Sequence, residues 1–180
     1  MKKIKNYFKR IYRLTLSFKR QEELVWKEIK VLHADSGWKY MINEKEKYIE
    51  TFFEISKDTG ASFYYKINDR LYHCRVKILE DFPSSLTTEL FILAEHFNNG
   101  MKNGVVIIDV INNFVEYRQK RDLIIPLLYK DEAYTQLLQH YSTSKNIYIG
   151  FKRLVTEHEA PVIIIADLLK KIEQENEDNV

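Results

Sequence analysis

The residue pattern predicts an α+β domain, a mostly antiparallel sheet of about five or six strands with helices packed on one face. Three observations carry this. Short runs of alternating apolar residues recur between residues 38 and 121, helix-period stripes flank and interrupt them, and successive strand runs are close enough to pair as hairpins.

The elements follow in chain order. At about 100° per residue, Ile4, Tyr7, Phe8, Ile11, Leu14 and Phe18 share one arc of a helix over residues 2–20, opposite Lys2, Lys5, Lys9, Arg10, Arg13 and Arg20. A second helical stretch, residues 21–34, uses Leu24, Val25, Ile29 and Leu32. It stops at Asp35-Ser36-Gly37, and the two stretches read equally as one continuous helix. From Trp38 the period shortens to two. Residues 38–42 and 48–55 read as strands, although Tyr48, Ile49, Phe52 and Phe53 also suit a helix begun at Asn43. Residues 61–67 and 71–79 alternate clearly and form a hairpin turned at Asn68-Asp69.

Phe82-Pro83-Ser84-Ser85 stops that strand and offers an N-cap to a helix carrying Leu86, Leu90, Leu93, Ala94 and Phe97, which ends at Asn98-Asn99-Gly100. The near-continuous apolar run 104–110 then reads as a central strand. Its partner across Asn112-Asn113, residues 114–121, is more polar and reads as half-exposed. After Pro126 comes a long helix, residues 130–157, with a bend expected at Gly150. Pro161 opens a last helix, 162–172, followed by a fraying acidic tail. The organisation expected is a basic N-terminal helix or arm over 1–20, an α+β domain over 21–160, and a C-terminal helix and tail over 161–180.

Composition bounds the function. The chain has 180 residues, 45% of them apolar, enough for a core without disulfides, and its single cysteine cannot close an internal bridge. A reducing, cytoplasmic location is expected. Five glycines leave little material for a phosphate-cradling loop, and no apolar run approaches the roughly 18 residues of a membrane span. Arg10, Arg13 and Lys19 interrupt any signal-peptide core. Charge is unevenly distributed. Residues 1–20 hold eight cations (Lys2, Lys3, Lys5, Lys9, Arg10, Arg13, Lys19 and Arg20) and no acid. The remainder has 20 basic against 26 acidic residues, so +8 on the arm and −6 on the body make the net +2.

The stretch Leu86 to Asn99, then Gly104-Val105-Val106-Ile107-Ile108-Asp109, Phe114-Val115-Glu116-Tyr117-Arg118 and the long helix resemble the YbjN-like, sensory-transduction-regulator group, which has a type III secretion chaperone-like fold. The resemblance spans roughly residues 22–160. It implies a sheet with flanking helices used for protein binding or dimerisation, and it carries over no catalytic signature.

Candidate chemistry is sparse. His73-Cys74 are adjacent, but strand neighbours point to opposite faces, so Cys74 reads as a core thiol. Glu157-His158-Glu159 and Glu95-His96 lack the i, i+3 or i+4 spacing of helical metal ligands. Tyr117 with Arg118, Lys120 and Arg121 could form a nucleic-acid platform, but the acidic body supplies no basic field around it. The expectation is a non-enzymatic protein-binding module, chaperone-like or regulatory, without metal or cofactor, the alternatives being an enzyme with a pocket of dispersed residues and a peripheral membrane or nucleic-acid adaptor working through the basic N-terminal helix. Its partner is a protein or a second copy, and nucleic acid is disfavoured. The eight N-terminal cations form the candidate surface, either docking the arm on its own domain or attaching residues 2–20 to an anionic membrane.

Overall fold

The computed structural model describes residue 8 and residues 11–56, 59–124 and 130–177. In chain order the elements are α1 (Phe18–Asp35), β1 (Tyr40–Asn43), β2 (Tyr48–Ser56), β3 (Thr59–Asn68), β4 (Leu71–Leu79), α2 (Thr87–Gly100), β5 (Val105–Asp109), β6 (Phe114–Asp122), α3 (Lys130–Glu157) and α4 (Pro161–Glu177). The six strands form one antiparallel sheet in the order β1-β2-β3-β4-β6-β5. This is the α+β class expected.

Several local expectations are corrected. The basic segment and α1 are not one helix: residues 11–14 are helical, and the chain then leaves the helix at Thr15-Leu16-Ser17. Both the Thr15 amide and its hydroxyl donate to the Tyr12 carbonyl, at 3.1 and 2.8 Å, which closes the first turn. The strand read at residues 48–55 is present as β2, and the alternative helix begun at Asn43 does not form. The Asn43 side chain accepts from the Glu46 amide at 3.0 Å, so its N-cap chemistry closes the β1–β2 turn instead. A 3₁₀ turn, Ser84–Leu86, precedes α2, and no side chain caps that helix. The last helix continues to Glu177, past the expected end at Ile172.

The largest correction concerns β5 and β6. The apolar β5 is an edge strand and the polar β6 is interior. Asn98 explains how β5 tolerates the edge. Its side chain donates to the Val106 carbonyl at 3.2 Å and accepts from the Val106 amide at 2.7 Å, taking the place of a neighbouring strand.

The chain divides into two compact units: residues 1–75 with 120–141, and residues 76–119 with 142–180. In the first unit α1 buries Val25, Ile29 and His33, while β3 buries Ala61, Phe63, Tyr65 and Ile67 on one face. Tyr65 lies at the centre of a ring cluster, with centroids 5.6 Å from His33, 6.4 Å from Phe63, 5.9 Å from Tyr72 and 6.1 Å from His140. Trp38 and Tyr40 close on His33 from β1 and the residues before it, at 5.3 and 5.6 Å. The β3–β4 turn places Asp69 and Arg70 at φ 51° and 62°, a two-residue reversal that matches the sheet twist. Arg70 is an uncommon residue there. It is held by its guanidinium 4.0 Å from the Phe18 ring and by its amide, which donates to Glu22 at 3.1 Å.

In the second unit α2 buries Leu90, Leu93 and Ala94, α3 buries Ile147, Phe151 and Leu154, and α4 buries Ile164 and Leu168. Gly150 does not interrupt α3. A Cβ there would lie 3.0 Å from Phe97, so the glycine admits the Phe97 ring, which stacks on Phe151 at 6.0 Å. The bidentate pair of Arg153 with Glu159, at 2.6 and 2.7 Å, and its bond to Asp167 at 2.9 Å fasten the α3–α4 corner.

Two predictions test this packing. Gly104 has φ 87°, and a Cβ there would lie 2.5 Å from the Tyr117 hydroxyl, which donates to the Asn103 carbonyl. Gly104→Ala should therefore cost about 2–4 kcal/mol and lower the melting temperature by several degrees; an unchanged melt would contradict the contact. The second concerns pH. Burial holds His33 below the ordinary histidine range and pushes His140 down to about 3. Between about pH 6.5 and 3 the unfolded chain binds protons that the folded chain refuses, so stability falls as pH falls through that window. His140→Phe should flatten the decline in thermal stability between pH 7 and 4.5, whereas equal slopes in the two proteins would remove His140 as its source.

Candidate functional site

Of the eight cations singled out above, Lys2, Lys3, Lys5, Lys9 and Arg10 lie outside the described residues. Arg13 does not project outward. Its guanidinium pairs with Glu28 of α1 at 2.6 Å, with both side chains about four-fifths buried. The buried Gln21 side chain reaches back to the carbonyls of Arg13 and Leu14, at 3.3 and 3.0 Å. Arg20 pairs with Glu23 along the exposed side of α1, and Lys19 is exposed.

This clamp turns Arg13 inward. Of the apolar arc read from the sequence, Ile4 and Tyr7 lie outside the described residues and the others are exposed: Phe8 is 65% exposed, Ile11 40%, Leu14 38% and Phe18 57%, as is Tyr12 at 63%. A self-docked amphipathic helix would show the reverse, because burying that arc is what would stabilise it. Large apolar side chains left exposed within one short stretch of chain, residues 8–18, are the kind of feature that marks an interaction surface. Periodicity made the arc visible in the sequence. The inward Arg13 was not, because its partner Glu28 lies beyond the helix break.

A second surface has no counterpart in the sequence reading. On the face of the sheet opposite the ring cluster, Met41, Glu50, Phe52 and Ser62 line a groove of about 240 Å³ together with Lys39, Tyr40 and Thr51. Register places Met41 opposite Glu50 and Phe52 opposite Ser62, so these side chains share one face. Met41 and Phe52 are 66% and 59% exposed, and the Phe52 ring lies across the backbone of Gly60. The Thr51 hydroxyl donates to the Lys39 carbonyl at 2.8 Å and holds the start of β1 against β2. Phe52 occupies the otherwise polar side of β2, between Glu50 and Glu54, and that break in alternation was the available signal.

The remaining candidates resolve structurally. Cys74 is buried on the Tyr72–Val76 side of β4, and burial pushes its thiol well above the ordinary range, opposite to what a nucleophile requires. His73 lies on the alternate, less buried side of the strand. Tyr117 is 1% exposed, so no base can stack on it, and Arg118 pairs with Glu116. Glu159 is committed to Arg153. No helix among the described residues is long and apolar enough to cross a membrane.

Comparison with known proteins places the fold. The chain is similar to a protein described by its crystal structure as "YbjN, a putative transcription regulator from E. coli". The TM-score is 0.54 at 9% sequence identity, and the match covers 68% of this chain and 87% of that one. No protein-family model and no curated protein matches the chain. The likeness read from the helix and strand motifs therefore holds for the fold: this is a YbjN-like α+β architecture.

Proposed function

We propose that this chain is a non-enzymatic binding module, chaperone-like or regulatory, that works by docking on a protein partner. The observation that carries the reading is the clamped N-terminal segment. Arg13 and Gln21 spend polar contacts to hold it, and the result is an outward apolar arc of Phe8, Ile11, Tyr12, Leu14 and Phe18. Holding Ile11, Tyr12 and Leu14 in water gains nothing for the fold, whereas a preformed apolar surface lowers the ordering cost of association. The YbjN-like fold supports the same reading, since the neighbour is described as a "putative transcription regulator". A second copy of the chain is one partner that this reading accommodates.

The sequence favours one other use of the same arc. Eight cations on residues 1–20 next to apolar side chains suit a helix lying in an anionic bilayer surface, where each cation contributes about 1 kcal/mol. The two uses differ in their response to salt, because only charge attraction to lipid is strongly screened.

The test is the double variant Ile11→Ser/Leu14→Ser in the full chain, which leaves the Arg13–Glu28 pair in place. The expected result is an unchanged melting temperature, with loss of a protein partner that the unaltered chain retains in pull-down at moderate salt. Retention of the same partner by both, or turnover of a defined substrate abolished by a point substitution, would overturn the proposal. Salt-sensitive co-sedimentation with phosphatidylserine vesicles, lost in the double variant, would replace the protein partner with a membrane surface.

A further inference from the structure

The β5–β6 hairpin ends in an apolar tip that its own fold does not use. Val110 is 51% exposed and Ile111 95%, the latter the most exposed large apolar side chain among the described residues. Turn positions ordinarily take Gly, Asn, Asp or Ser, because those residues satisfy the backbone locally, whereas β-branched side chains gain nothing there. Here the Asx chemistry is displaced to the flanks. Asp109 accepts from the Asn112 amide and from its side chain, both at 2.9 Å, and Asn113, at φ 55°, donates to the Phe82 carbonyl at 3.1 Å and to Asp81. The turn is thus held from both ends while presenting two apolar side chains to solvent. A sequence that breaks a local rule without internal compensation points to a contact outside the fold.

We infer that this tip is a docking finger for a second copy of the chain, and that it inserts into the groove of Met41 and Phe52 on the other copy's sheet. The inference rests on the binding-module reading and names the surfaces that would meet. Three features select a second copy as the occupant. The groove has an apolar floor and a volume of about 240 Å³, on the scale of two branched aliphatic side chains. Its rim carries the cation Lys39, which suits the carboxylate of Asp109 at the base of the finger. Carboxylates on both surfaces oppose an anionic bilayer or a nucleic acid, so the matching occupant is a protein element of mixed charge, and this chain carries one.

The experiment is sedimentation velocity of the full chain over a wide concentration range, with Ile111→Asp and Met41→Asp as single variants and thermal melts as folding controls. The unaltered chain should show concentration-dependent association, and each variant should be monomeric with a native melt. Mixing the two variants should restore a 1:1 pair, because one retains an intact groove and the other an intact finger. Association that persists unchanged in both variants would overturn this inference and leave self-association through another surface, such as the N-terminal arc. A chain that stays monomeric at every concentration would overturn the second copy as occupant while leaving a different protein partner for the module. Binding to phosphatidylserine vesicles that Ile111→Asp abolishes would assign the tip to a bilayer and likewise overturn it.

Discussion

The first unit depends on the ring layer around Tyr65. That side chain is 1% exposed and touches rings from α1, β3, β4 and α3 at once, through His33, Phe63, Tyr72 and His140. The layer combines large buried apolar area with ring geometry, which fixes orientation as well as proximity. It also carries a cost. The His33 Nδ1–H donates to the Ile29 carbonyl at 2.8 Å, which leaves Nε2 as a buried lone pair. Burial accordingly keeps both cluster histidines neutral, and the same burial makes the unit sensitive to acid.

Polar contacts at the rim of this layer settle what faces outward. Trp26 and Lys30 of α1 reach Glu44 in the β1–β2 turn at 2.8 and 2.6 Å, and Glu22 meets the Arg70 amide. With α1 anchored in this way, its buried Gln21 and largely buried Glu28 are positioned to hold residues 11–14 with Arg13 inward. The outward apolar arc is a consequence of where α1 sits. The open face of β1–β3 follows from the same layer, since side chains alternate along a strand and the ring cluster occupies the other side.

Much of the fold was legible because local chemistry and global packing agree. β4 alternates in sequence and in burial, α3 spans the residues its apolar stripe marks, and Gly37 takes the left-handed conformation at the end of α1. Ambiguity and failure occur where one local signal serves two structures. Asn43 accepts an amide three residues on, which suits a helix cap and a tight turn alike, and it was the alternation of residues 48–55 that pointed to the strand. The apolar run of β5 reads as central because sequence cannot show that Asn98 shields its edge at Val106. For the functional surfaces, periodicity exposed the N-terminal arc but not its orientation. The groove depends on side chains from three strands that only the register brings together.

The central claim is that one ring layer holds α1, β3, β4 and the first half of α3 as a single cooperative unit. Native-state hydrogen exchange in low denaturant tests it most directly. The account expects the slowest amides of residues 25–33, 61–67 and 72–74 to share one opening free energy, and Tyr65→Leu to lower it for all three together. Amides of α1 that exchange through a separate, lower-energy opening while the strands stay protected, or a Tyr65→Leu effect confined to β3, would contradict it.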